Sequence, residues 1–163
     1  MISIIIPTRN RLKLFTESVE SLLSNVSSFD NIEILVAMDD DDVETISEIQ
    51  KFIENKTYIK LFLFTRKHYH GLHEYINFLA NKASGKFIMI WNDDCLMETK
   101  DWDKYIMEYD NKFIMLSPKV KNMEHYWKHQ GVLFPIIPKK WIDIIGIISP
   151  VHACDSWIDV LSK

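Results

Sequence analysis

The sequence predicts an α/β domain with a mostly parallel central sheet covered by helices on both faces. Three observations carry that expectation. Strand and helix patterns alternate through residues 1–94. The strands are continuous apolar runs, the pattern of strands buried on both faces. Helix-length segments separate successive strands, so they pair in parallel through right-handed crossovers.

Each element follows in order. Residues 2–7, Ile-Ser-Ile-Ile-Ile-Pro, form a β-branched run and the first strand. Residues 10–25 carry Leu12, Phe15, Val19, Leu22 and Leu23 at helical spacing, with Asn10 the expected N-cap. Residues 32–38 form the second strand. Residues 43–55 repeat Val43, Ile46, Ile49 and Phe52 every third position and form the second helix. Residues 58–65 are the third strand and 73–84 the third helix, which Ala83-Ser84-Gly85 closes with a left-handed glycine stop. Residues 86–91 are the fourth strand. Beyond it the pattern loosens: helices are expected at 102–109, 139–145 and 156–161, and strands at 113–116 and 132–134.

At 163 residues, with no repeat and no Pro/Gly/Ser linker, this is one domain, 1–163. Hydrophobic residues at 47% and charged residues at 26% describe a folded rather than a disordered chain. A net charge of −4 argues against a nucleic-acid polymer as partner, because such binding needs a basic surface. No segment approaches the roughly 20 apolar residues of a transmembrane helix. The chain runs from Met1 straight into a strand without a basic leader, so no signal peptide is expected. Two cysteines, Cys95 and Cys154, make no disulfide framework, and a cytoplasmic location is expected.

Chemistry gathers where strands end. The apolar run Ile88-Met89-Ile90-Trp91 stops at Asn92-Asp93-Asp94, with no basic residue adjacent in sequence. Asp39-Asp40-Asp41-Asp42 follows the second strand, and Pro7-Thr8-Arg9-Asn10 the first. C-terminal strand ends are where open α/β sheets bind ligands, so three ends share one cleft. Paired acids there suit a divalent cation held with a phosphate-bearing substrate. Solvated turns are the other reading, since Asn and Asp are ordinary turn formers. There is no Gly-x-Gly-x-x-Gly and no phosphate-loop motif, so a bound diphosphate would be neutralised by other means, such as a metal.

Taken in order, these pieces resemble glycosyltransferase family 2, with its GT-A fold. Ile4-Ile5-Ile6-Pro7-Thr8-Arg9-Asn10 is similar to the family's first strand and turn, and Asp39-Asp40 to its Asp-Asp after the second. Asn77, Ala83 and Gly85 match its approach to the metal motif, and Asn92-Asp93-Asp94 matches the Asp-x-Asp-type motif itself. The resemblance is close over residues 2–94 and traceable over 131–158. It implies a nucleotide-binding half at 1–94 and a metal and acceptor half at 95–163. Pro7, Thr8 and Arg9 would border the nucleobase and Asp39 would hydrogen-bond it. Asp93 would contact the ribose or donor sugar, and Asp94 would ligate Mn²⁺ or Mg²⁺. The stretch Gly146…His152-Ala153-Cys154-Asp155 resembles the family's Gly-…-Glu-Asp segment, which carries the catalytic-base role to Asp155. Asp41-Asp42 replaces the family's Gly-Ser, Trp91 stands where an Asp often begins the metal motif, and Cys154 where its Glu is common.

The activity implied is transfer of a sugar from a nucleotide-diphosphate donor to an acceptor hydroxyl, metal-dependent and inverting. A glycan, a lipid-linked sugar or a protein side chain could each be the acceptor. Two alternatives stand beside it: a nucleotidyltransferase using the same cleft, and a non-catalytic, degenerate nucleotide- or sugar-binding domain. His152, three residues before the proposed base, is a further candidate for metal or phosphate. His68, His70 and His73 precede the third helix, and His125 and His129 stand four apart; neither group has diagnostic metal spacing. Tyr126 and Trp127 are candidates for stacking on an acceptor sugar, and Trp91 is expected in the core. Cys95 and Cys154 each neighbour a proposed functional acid, which would bring the two thiols near one another.

Overall fold

Continuous burial marks the strands the sequence called apolar. Every residue of β1 (Ile2–Pro7) except the half-buried Pro7 is buried, as is every residue of β2 (Ile32–Asp39) and β4 (Phe87–Ile90). β3 (Ile59–Phe64) is an edge strand in which only Ile59 is buried. The computed structural model describes residues 1–65, 71–121 and 133–161, all but the side chain of Asp155. Its sheet has the order β3-β2-β1-β4-β5, parallel throughout except for antiparallel β5 (Ile136–Pro138) on β4.

Alternation along the strands splits the core in two. Ile2, Ile4 and Ile6 face α1 (Leu12–Asn25), α2 (Val43–Ile53) and α4 (Trp102–Met107). Ile5, Leu35, Ile88 and Ile90 face α3 (Leu72–Lys82), α5 (Lys140–Ile145) and α6 (Cys154–Leu161). Both faces are therefore covered. β2 and β4 flank β1 on opposite sides, and their crossover helices lie on opposite faces. A crevice must open at the C-terminal ends of β1 and β4, the switch point of the sheet.

Four local expectations need correction. Arg11, not Asn10, precedes α1, and no side chain caps that helix; Asn10 instead has φ +52°. Asparagine tolerates this left-handed kink better than most residues. The glycine stop after α3 is also absent, because Ala83 leaves the helix in extended conformation. Gly85 is needed for close approach: a Cβ there would lie 2.7 Å from the backbone nitrogen of Ser3 and 2.8 Å from the carbonyl oxygen of Met1. The left-handed glycine stop belongs to Gly146, φ +86°, which ends α5. Residues 113–116 form no strand and contribute only the bridge Leu116–Ile136, since β5 is three residues long. The strand expected at 132–134 begins at Ile136, because Phe134 at φ +52° cannot continue an extended run; Val132 lies outside the described residues.

At the sheet end remote from the crevice, buried Glu33 fastens three segments. Its Oε1 accepts from the Ser3 hydroxyl at 2.6 Å, the Ser84 amide at 2.6 Å and the Ser84 hydroxyl at 2.8 Å, and Lys60 approaches Oε2 at 3.4 Å. Burial pushes this carboxyl up, but the hydrogen bonds from Ser3 and Ser84, helped by Lys60, outweigh it and hold Glu33 below the ordinary glutamate value. A depressed folded pKa contributes stability that is fully present above the unfolded value of 4.5 and is lost as pH falls through the folded value. Glu33→Gln is therefore expected to lower Tm at neutral pH and flatten its acid limb. Tm measured from about pH 7 to about pH 3 checks this, and parallel curves for the two proteins would reject it.

Candidate active site in the strand-end crevice

β4 delivers its acids in a fixed position because its end is pinned to α1. The Trp91 indole N–H donates to the Ser18 hydroxyl at 2.8 Å, and that hydroxyl donates to the Asn92 carbonyl at 3.3 Å. Trp91 is buried, as expected. Asp93, also buried, accepts from the Thr8 hydroxyl at 2.6 Å, a bond that crosses the switch point from the β1 end. Asp94 beside it is exposed, its side chain 47% accessible.

The loop from β1 to α1 sends one arginine to each acidic cluster. Asn10's left-handed kink stands between Arg9 and Arg11 and splays them apart. Arg9 grips Asp41 with two nitrogens, at 2.5 and 2.9 Å, and reaches Asp39 at 2.7 Å. The hydrogen bonds it donates to Asp41 above all, and to Asp39, outweigh desolvation and raise the guanidinium's pKa above its ordinary value. Arg11 lies 3.1 Å from Asp93 and 3.4 Å from Asp94. Asp42 is buried and accepts the Asn10 amide at 2.7 Å, tying the two loops together. The four-acid run is thus no free solvated loop. On the α3 side, the Tyr75 hydroxyl donates to Asp39 at 2.5 Å while its ring packs edge-on against Phe64.

These groups line a cavity of about 420 Å³. Pro7, Thr8, Arg9, Asp39, Asp93 and Asp94, drawn together from the sequence, all face it, as do Arg11 and Tyr75, which the sequence reading passed over. Signals for both were present. Arg9 and Arg11 alternate about a single kink-prone Asn, and a Tyr on an apolar helix face carries a hydroxyl that needs a partner. A second cavity of about 210 Å³ adjoins the first through Leu72, Ile76, Ile90 and Asn92, and ends on Phe134 and Cys154.

The C-terminal stretch is held to α3 by Asn77, whose side chain donates to the Ser149 carbonyl and accepts the amides of Ile148 and Ser149. That brings Cys154, at the start of α6, to the second cavity, with Asp155 next in the chain. The side chain of Asp155 lies outside the described residues. So do His68, His70, His125, Tyr126, Trp127 and His129. His152 does not line the acid-bearing crevice; its ring stands edge-on to His73, centroids 4.8 Å apart, close against Gly71.

The cysteines do not form a pair. Cys95 packs with the α1-side core and Cys154 with the α3-side core, and neither is in a disulfide. Burial first, then the charge of Asp94, pushes the Cys95 thiol up to about 12, so it is no nucleophile near neutrality.

Hard carboxylate oxygens at a strand end fit Mg²⁺ or Mn²⁺. Among the described residues no group of three or more His, Cys, Asp or Glu gathers to hold a metal, so the chain offers the pair Asp93–Asp94. Such an ion takes its remaining ligands from water and substrate phosphates.

Solved structures share this fold. The mannosyltransferase PcManGT from Pyrobaculum calidifontis, in complex with GDP-Man and Mn²⁺, superposes with a TM-score of 0.80 at 16% identity, over 99% of this chain and 52% of that one. TarS 1–349 from S. aureus, in complex with UDP-GlcNAc, gives 0.77 at 18% identity, over 99% of this chain and 52% of that one. This chain thus spans about half the length of each. A search of curated proteins gave no match. The family model described as glycosyl transferase family 2 matches residues 3–151, and with a match over most of its length the chain belongs to that family.

Proposed function

We infer that this chain transfers a sugar from a nucleoside-diphosphate donor to an acceptor hydroxyl, with divalent-metal dependence and inversion at the anomeric carbon. The observation that carries this reading is the Thr8–Asp93 bond across the switch point with exposed Asp94 beside it. It supports the reading because a carboxylate pair at the crevice of such a sheet suits a divalent ion bound together with a diphosphate. The GDP-Man and Mn²⁺ in the PcManGT structure and the UDP-GlcNAc in the TarS structure support a hexosyl donor and a metal of this kind.

Pro7 borders the nucleobase, and Asp39 accepts a hydrogen bond from it. Arg9 and Tyr75 hold one Asp39 oxygen each, which leaves acceptor capacity, because a carboxylate offers about four lone-pair sites. Asp93, fixed by Thr8, faces the ribose or sugar. Asp94, with Asp93 beside it, would hold the Mn²⁺ or Mg²⁺; when bound, that ion supplies Lewis-acid stabilisation of the departing diphosphate. His152 is left outside this set, since its ring packs on His73. Asp155 takes the proton of the acceptor hydroxyl as its oxygen attacks from the face opposite the diphosphate. The acceptor is a glycan, lipid-linked or protein hydroxyl. No helix among the described residues is long and apolar enough to cross a membrane. Two cysteines outside any disulfide fit a reducing, cytoplasmic setting.

Thermal stability against nucleoside diphosphates and nucleotide sugars, each with and without Mn²⁺, tests the reading. A ligand at a hundredfold excess over Kd adds about 2.7 kcal/mol of stability. A stabilising nucleotide diphosphate that requires the metal is the expected result. Stabilisation by triphosphates alone would favour nucleotidyl transfer, and none by any nucleotide would leave a degenerate domain.

A further inference from the structure

Arg11 reaches both acids of the β4 end through a single nitrogen. Its Nη1 lies 3.1 Å from Asp93 Oδ1 and 3.4 Å from Asp94 Oδ2. The remaining oxygens have neutral partners: Asp93 Oδ2 accepts from the Thr8 hydroxyl at 2.6 Å, and Asp94 Oδ1 faces the Cys95 thiol at 3.8 Å. Every oxygen of the pair is engaged, and Arg11 is the one cation within salt-bridge distance of it among the described residues. A divalent ion on Asp94 and Asp93 would sit on the same carboxylates that Arg11 contacts, within a few ångströms of its guanidinium. Two cations a few ångströms apart repel by several kcal/mol at the effective dielectric near a protein surface. One of them must leave. The Thr8–Asp93 bond is buried, whereas the Arg11 side chain is 52% exposed and rooted in a loop, so Arg11 is the group that moves.

Its destination follows from the same crevice. A guanidinium fork matches phosphate oxygens, and Arg11 lines the cavity that would take the diphosphate. Arg9 is already spent on Asp39 and Asp41. We propose that Arg11 is an exchangeable counter-ion, which neutralises Asp93 and Asp94 and, when a divalent metal takes that pair, transfers to the diphosphate of the donor. The proposal rests on the metal-dependent reading above. The exchange makes the two binding events help one another: metal frees the arginine for the phosphates, and phosphates hold the arginine away from the metal's ligands. Such coupling is reciprocal by thermodynamic necessity.

Titration with Mn²⁺ alone, followed by the electron paramagnetic resonance of free Mn²⁺, reads the first half directly. Arg11→Met is expected to bind Mn²⁺ about tenfold more tightly than the unmodified protein, the loss of two partly exposed ion pairs. Arg11→Lys, which keeps the charge, stays near the unmodified protein. Lys13→Met is the charge control, since Lys13 is 88% exposed and its acid partner is Glu17 at 3.8 Å; it changes the affinity by less than about twofold. With Mn²⁺ saturating, UDP and GDP are then titrated, and the one that binds the unmodified protein should bind Arg11→Met about tenfold more weakly. Equal Mn²⁺ affinity in Arg11→Met and Lys13→Met would overturn the exchange and leave the metal reading standing. Unchanged nucleotide affinity in Arg11→Met would overturn the transfer to phosphate. Failure of every folded variant to bind Mn²⁺ would remove the metal reading and the proposal with it.

Discussion

Asp94→Ala is expected to abolish metal-dependent nucleotide binding while leaving the fold intact. Its side chain is 47% exposed, and its contacts are Arg11 at 3.4 Å and the Cys95 thiol at 3.8 Å. Substitutions at such exposed positions change stability within about 0.5 kcal/mol. The functional loss is far larger. Removing even a supporting partner of a metal site costs about 10–100-fold in affinity, so loss of a ligand is expected to cost 100-fold or more. Calorimetric titration of the stabilising nucleotide in Mn²⁺ checks it, with unfolding followed in parallel. A nucleotide affinity unchanged in Mn²⁺ would withdraw the metal assignment. Asp93→Ala is the poorer probe, because it strips a buried partner from the Thr8 hydroxyl and so mixes folding with binding.

Asp155→Asn is expected to spare donor binding and to lower kcat by about 10²–10⁴, the range that general-base catalysis supplies. Asparagine keeps the size of aspartate but cannot take the acceptor's proton. The position supports the role: Asp155 follows Cys154, which lines the cavity adjoining the acid-bearing crevice, and Asn77 holds this stretch to α3. Donor affinity and turnover are measured separately. Turnover within about tenfold of the unmodified protein would assign the base elsewhere.

Legibility differs between the two halves for a physical reason. In the first half the code is local. A strand buried on both faces must be apolar throughout, a helix on one face must show its stripe every three to four residues, and both survive in a one-dimensional reading. The acids at 39 and 93–94 were legible for the same reason, since a carboxylate after an apolar run marks the strand's end. In the second half the code is tertiary. β5 is three residues long and exists because β4 offers it an edge, while residues 113–116 manage a single bridge. Gly85 looked like a helix stop because glycines commonly are; its reason is the backbone of residues 1 and 3, more than eighty positions away in the chain.

By itself the sequence determined the alternation of strands and helices, the parallel sheet with covered faces, and the gathering of acids at the ends of β2 and β4. Those depend on hydrophobic period and chain order alone. Only the tertiary structure decided who partners the acids: Arg9 for Asp39 and Asp41, Arg11 for Asp93 and Asp94, Tyr75 for the other oxygen of Asp39. It also decided that Cys95 and Cys154 belong to different cores and that His152 turns to His73. Pairings of this kind join residues 30 to 83 positions apart, through a kink at Asn10 and a strand order of 3-2-1-4-5. Periodicity carries no record of which distant loops meet, because that is settled only when the sheet assembles.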